Sequence, residues 1–240
     1  MAKSPRICII GAGAIGGVTA ALLRNSGHDV TLVTKHQNVA DMANKKGIKL
    51  SGVRGSMQVK LPAVATVPEL TGTFDACIIA TKTYDMPQAA EAMLPFLKED
   101  SLVFSFQNGI CTDALAKVVG ANRAVGCVVG FGSTMSAPGT YDMTSEGDFI
   151  IGRVQGDNAA LLPMQQALNH VVPTHVSDNI YAELYSKLIV NACITSLGAV
   201  SGLLLGDMLK RRDARNIFLR IMKEATLVAE KMGLKIPPKE

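Results

Sequence analysis

Three groups of residues in this chain have types and spacings that suit chemistry. The first is the turn Gly11-Ala12-Gly13-Ala14-Ile15-Gly16, which follows directly on the apolar run Ile7-Cys8-Ile9-Ile10. In a Gly-x-Gly-x-x-Gly turn, the first glycine permits the tight bend and the second lets the backbone approach a pyrophosphate. The third lets the following helix pack on the strand. Phosphate oxygens then face the unpaired N–H groups and positive dipole end of that helix. Glycines in a small-residue helix also serve packing alone. Here the strand precedes them, the Ala- and Leu-rich stretch Val18 to Leu23 follows, Asn25-Ser26-Gly27 closes the helix, and Val30 to Val33 reads as a second strand. That context points to a dinucleotide site.

The second group sits at strand ends. A site for NAD places an acid roughly 20 residues past the glycines, on the ribose hydroxyls. This chain has Thr34-Lys35-His36 there and no acid before Asp41, so Lys35 is free to pair with a 2′-phosphate and NADP (NADPH) is the expected cofactor. Lys82 follows the strand ending Ala80-Thr81, and Asn108-Gly109 follows the one ending Phe106-Gln107. Ligands of open α/β sheets bind at these carboxyl edges. A surface lysine and an ordinary Asn-Gly turn are the competing readings.

The third group is Lys187, Asn191 and Thr195, spaced i, i+4, i+8 and so stacked on one helix face. Leu184, Leu188, Ile189, Val190, Cys193 and Ile194 surround them. An ammonium and an amide in such a helix need partners or a cavity. Glu183 pairing with Lys187 on a solvated stripe would supply one. Beside a dinucleotide domain, a half-buried lysine is also a proton donor for a carbonyl under reduction.

The elements that must hold these groups alternate. After the second strand come a short helix (39–46) and a hairpin pairing 48–50 with 57–59. A strand over 74–80 leads to a helix carrying Ala89, Ala92, Met93 and Leu97. A strand over 102–106, a helix over 113–119 and late strands near 125–129, 140–141 and 149–151 follow, then a helix over 161–168 and a short strand over 171–176. Such alternation predicts a Rossmann-type, doubly wound parallel sheet. From Asn179 the strand signals stop and Ile180 to Met232 reads as helical. The expected division is a dinucleotide-binding domain over 1–178 and an all-helical domain over 179–240.

Composition excludes several classes. With 48% hydrophobic and 18% charged residues, the chain is globular, not disordered. The net charge of +4 is scattered, Asp213 follows the basic cluster Lys210-Arg211-Arg212, and there is no Trp, so a nucleic-acid surface is not expected. Five cysteines, odd in number and without a CxxC pair, fit a reduced compartment and no metal site. Lys3 and Arg6 ahead of an uncharged run resemble a signal peptide, but four glycines in the run and no cleavage site argue for a cytoplasmic protein. The uncharged stretch Leu188 to Gly206 approaches bilayer length. Its Asn191, Thr195, Ser196, Ser201 and glycines favour a helix and turn buried in the second domain, with no membrane partner.

Taken together, Gly11-x-Gly13-x-x-Gly16, Ala80-Thr81-Lys82, Gln107-Asn108-Gly109 and Ala182-Glu183-Leu184-x-x-Lys187-Leu188-x-x-Asn191 resemble, in order and spacing, the ketopantoate reductase (2-dehydropantoate 2-reductase) family over essentially the whole chain. The resemblance implies reduction of a small 2-oxo acid by NADPH in coenzyme A biosynthesis. It implies Lys187 as proton donor, Asn191 as a substrate-binding amide, Asn108 between nicotinamide and substrate, and Lys35 on the 2′-phosphate. Thr195 stands where many members have a second substrate asparagine, and Leu205 where another precedes Gly206. Family members also continue well past Pro237-Pro238, with an active-site serine and glutamate. The expectation is therefore an apparently truncated helical domain, open to a homodimeric partner. A dinucleotide-binding sensor without turnover and an opine-type reductase are the alternative readings.

Overall fold

The computed structural model describes Ser4–Ile236. Lys3 and Pro237-Pro238, named above, lie outside the described residues. In chain order the first unit runs β1 (Ile7–Ile10), α1 (Ala14–Asn25), β2 (Val30–Val33), α2 (Gln37–Lys45), β3 (Ile48–Gly52), β4 (Met57–Val59), β5 (Ala63–Val64) and β6 (Phe74–Ile79). It continues with α3 (Met86–Met93), β7 (Leu97–Ser105), α4 (Thr112–Val119), β8 (Ala124–Val129), β9 (Gly132–Ala137), β10 (Thr140–Ser145), β11 (Phe149–Arg153), α5 (Leu162–Leu168) and β12 (Thr174–Val176). The second unit holds α6 (Ile180–Ser201), α7 (Leu205–Lys210) and α8 (Arg212–Lys231). Packing divides the chain into Met1–Ile180 and Tyr181–Glu240.

The first unit is built on an eight-stranded sheet of order β12-β11-β8-β7-β6-β1-β2-β5. β1 is an interior strand, parallel to β2 on one side and β6 on the other, with Cys8 opposite both Thr31 and Cys77. Because side chains alternate along a strand, Ile7 and Ile9 enter one core while Cys8 and Ile10 enter the other. Both faces are covered, which is why β1 is continuously apolar. The sheet is Rossmann-like and mixed, since β11 runs antiparallel to β8. The run β5-β2-β1-β6-β7-β8 is the expected parallel Rossmann-type sheet, and β11 adds an antiparallel strand at its edge region. The strand enters through the tight Gly130–Gly147 region, where the chain returns by a hairpin and not by a crossover helix.

Two departures affect the site. Leu97 begins β7 and does not extend α3, because Pro95 sits in a 3₁₀ turn over 94–96 that ends the helix. The predicted 48–50/57–59 hairpin exists, but it belongs to a separate four-stranded sheet, β4-β3-β10-β9. β10 pairs parallel with β3 (Tyr141 opposite Leu50) and antiparallel with β9, a strand absent from the sequence reading. Helix α1 is packed between the two sheets, and every residue from Gly16 to Leu23 is buried.

In the second unit, α6 and α8 meet antiparallel. The Tyr185 hydroxyl lies 2.9 Å from Met232 Sδ, and Cys193 Sγ 3.5 Å from the Phe218 carbonyl. Ala182, Ser186, Ile189 and Cys193 form the buried stripe of α6. The expectation of a buried helix over Leu188 to Gly206 is not met. Val200 is 90% exposed and Leu204 78%. α6 is long and apolar enough to cross a membrane by length and composition alone, with 22% of its apolar window buried.

Candidate active site

The carboxyl ends of β1, β2, β6 and β7 open into one cleft of about 810 Å³, within the range of small-molecule and cofactor sites. Gly11, Ala12, Gly13, Ala14, Ile15, Lys35, Lys82 and Asn108 all line it. The backbone explains the glycine-rich turn position by position. Gly11 has φ +114°, and a Cβ there would stand 2.7 Å from the Ala80 carbonyl carbon, so no other residue fits. Gly13 has nothing within 4 Å of where its Cβ would be, which leaves the backbone open to an approaching ligand. Gly16 is buried outside the lining. A Cβ on it would lie 2.0 Å from the Gly11 carbonyl oxygen, so its role is to bring α1 against the turn.

Lys35 is exposed at the end of β2. The first acid beyond it, Asp41, is turned to its own helix, where it accepts from Gln37 at 2.9 Å and lies 3.7 Å from the Lys45 ammonium. On the same cleft, Lys82 and Asn108 are exposed, and Asp85 is the only carboxylate among the lining residues. Gln107, which had no role of its own in the sequence reading, holds these strand ends together. Its buried amide donates to the carbonyls of Ile79 (2.9 Å) and Thr81 (3.3 Å) and accepts from Ser105 Oγ (2.6 Å). The side chain thereby staples β7 to β6 between Asn108 and Lys82. The only signal in the sequence was a glutamine directly following the apolar run that ends at Phe106.

A second residue missed from sequence is Tyr141 on β10. It is fully buried, its ring lies against α1, and its hydroxyl donates to the Ala12 carbonyl at 2.8 Å. Burial pushes its phenol up to about 12, so it stays a donor at any ordinary pH. Met135 and Pro138 of the same hairpin also line the cleft.

On the second unit, Lys187 and Asn191 are half-buried on α6 beside its buried stripe, and Thr195 is exposed one turn on. The Thr195 hydroxyl donates to the Asn191 carbonyl at 2.6 Å, so its proton is engaged within the helix. The five cysteines are buried and none is joined in a disulfide. Among the described residues, no group of three or more His, Cys, Asp or Glu side chains could hold a metal ion.

The profile of the family described as "Ketopantoate reductase PanE/ApbA" matches residues 7–156, and that of its C-terminal domain matches 179–240. The chain belongs to the ketopantoate reductase family. This places it among the oxidoreductases. It is 32% identical over 238 residues to the 2-dehydropantoate 2-reductase of Pyrococcus abyssi, covering 97% of this chain and 77% of that one. The 2-dehydropantoate 2-reductase structure from Geobacter metallireducens superposes with a TM-score of 0.89 at 25% identity, covering 98% of this chain and 78% of that chain. The ketopantoate reductase structure from Ralstonia eutropha gives 0.85 at 28% identity, over 97% and 76%.

Proposed function

We propose that the chain is an NADPH-dependent reductase of a small 2-oxo acid, with 2-dehydropantoate, the substrate in its relatives' names, as first candidate. The observation that carries the reading is the joint placement of the glycine-rich turn and Lys35 on one cleft, whose lining holds a single carboxylate, Asp85, three residues past Lys82. The turn fits a dinucleotide pyrophosphate. Gly13 is open on its Cβ side, and the first N–H groups of α1, at Ala14 and Ile15, belong to lining residues. Lys35 would meet the 2′-phosphate by a charge-assisted contact.

When bound, a reduced nicotinamide supplies hydride to the keto carbon. Electron density then moves onto the carbonyl oxygen, and a positioned ammonium both stabilises that charge and delivers a proton. Lys187 is the residue proposed for this role. Asn191 is proposed to hold the substrate through its amide, with Thr195 beside it. Asn108 and Lys82 are proposed to orient the nicotinamide end. A 2-oxo carboxylate is anionic, which suits a cleft with two lysines and one acid among its lining.

The test is oxidation of NADPH and of NADH followed at 340 nm across a panel of 2-oxo acids of increasing branching. Turnover of 2-dehydropantoate with NADPH preferred is the expected result. Failure to oxidise either cofactor with any 2-oxo acid would overturn the proposal.

A further inference from the structure

The second sheet has no part in the function as described so far, yet it sends one polar group to the glycine-rich turn. Tyr141 lies 129 residues from Ala12 in sequence, and its hydroxyl donates to the Ala12 carbonyl at 2.8 Å. In a trans peptide, the carbonyl of one residue and the N–H of the next point in opposite directions. Fixing the Ala12 oxygen toward β10 therefore fixes the Gly13 N–H away from β10, and Gly13 is among the residues that line the open cleft. Gly13 itself is held on its carbonyl side by the Gly17 N–H at 2.8 Å, while nothing lies within 4 Å of its Cβ position. By contrast, Gly11 is hemmed in by Ala80 and Thr81, and Gly16 by Gly11 itself.

The ring is held as firmly as the hydroxyl. Its Cζ, Cε1 and Cε2 atoms would stand 2.2–2.6 Å from a Cβ on Gly17. Gly17 is thus a fourth glycine, beyond the three of the turn, whose absent side chain lets a phenol ring lie on the helix backbone and reach the turn. Opposite it in register is Leu50, fully packed in the same core.

We propose that Tyr141 is a positioning residue for pyrophosphate binding: its hydroxyl sets the orientation of the Ala12–Gly13 peptide and so preorganises the Gly13 N–H toward the ligand. The proposal rests on the dinucleotide reading of the cleft. Without the hydroxyl, the peptide must be ordered at the moment of binding, and that cost appears in affinity. One neutral hydrogen bond of this kind corresponds to about a three- to tenfold change.

The experiment is calorimetric titration of wild type and Tyr141→Phe with NADPH and, separately, with 2′-AMP, which carries the 2′-phosphate but no pyrophosphate. Phe keeps the ring on Gly17 and removes only the donor. The expected result is a three- to tenfold rise in the NADPH Kd with the 2′-AMP Kd unchanged. A ring that serves only as core would lower the unfolding temperature while leaving both Kd values at wild type, and that outcome overturns the proposal. So does an equal loss for both ligands. Gly17→Ala, which displaces the ring from the helix side, must weaken NADPH binding in the same selective way, and it provides the reading should Tyr141→Phe not fold. If wild type binds 2′-AMP but not NADPH, the reading of the cleft itself fails and takes this proposal with it.

Discussion

Replacing Gly17 with alanine tests which of two opposed effects dominates in α1. Gly17 is the fourth residue of a twelve-residue helix. In a helix interior, alanine is favoured over glycine by about 1 kcal/mol. Against that, the new Cβ would stand 2.2 Å from Tyr141 Cζ, closer than real Cβ atoms come to any neighbour. The ring cannot swing away into solvent, because Tyr141 is fully buried between α1 and the second sheet. Overpacking of this kind costs about 1–3 kcal/mol. Displacing the hydroxyl from Ala12 costs about 1 kcal/mol more. The net is a destabilisation of about 1–3 kcal/mol, or a fall of about 3–10 °C in the melting transition of a unit this size. In a Tyr141→Ala background the obstacle is gone, and the same Gly17→Ala change should stabilise by about 0.5–1 kcal/mol. Urea unfolding of the four proteins of this double-mutant cycle gives both numbers. Gly17→Ala more stable than wild type would refute the packing account, whatever the double mutant does.

Three further outcomes follow from the site. Lys35→Glu should weaken NADPH binding about tenfold or more while sparing NADH, by loss of a charge-assisted phosphate contact; equal affinities for the two cofactors in wild type would remove the basis for this. Lys187→Ala should lower kcat by roughly 10²–10⁴-fold, the usual worth of a positioned proton donor, with NADPH affinity unchanged; normal turnover in single-turnover and steady-state assays would end the proton-donor proposal. Stability should also fall in alkali because of Tyr141. Its folded phenol titrates near 12 against about 10 when unfolded, so its contribution is complete below about pH 10 and is lost as pH rises toward 12, by on the order of 2–3 kcal/mol. The wild-type minus Tyr141→Phe difference in unfolding free energy, measured from pH 9 to 12, isolates this; a flat difference would contradict it.

The legible part of the sequence was the part whose physics is local. The run Ile7 to Ile10, the spaced glycines and the Ala-Leu helix lie within some twenty residues, and each signal constrains the next. The ends of the strands carrying Lys35, Lys82 and Asn108 were equally readable, because continuous apolar strands bounded by polar residues have few alternatives. What escaped was non-local. β9, with Ser133, Thr134 and Ser136, has no alternation that separates a strand from a loop, and its burial pattern is largely exposed. It becomes a strand by pairing with β10. Tyr141 was visible only as one tyrosine in a presumed late strand, since nothing near it in sequence names Ala12 or Gly17 as its neighbours. The reading of Leu97 as helical failed because periodicity carried it past Pro95, where the helix had already ended.

The second sheet also joins parts of the chain that are far apart in sequence. β3 and β10 are joined across some ninety residues, with Ser51 bonded to Asp142 at a separation of 91. Closing so long a loop costs entropy that only late, cooperative contacts repay. The β1–turn–α1–β2 segment, by contrast, forms from neighbours. A chain emerging from synthesis would therefore own its glycine-rich turn more than a hundred residues before Tyr141 arrives to orient it. On the proposed role of Tyr141, formation of the turn and its orientation for ligand are separated by the whole length of chain between Ala12 and Tyr141.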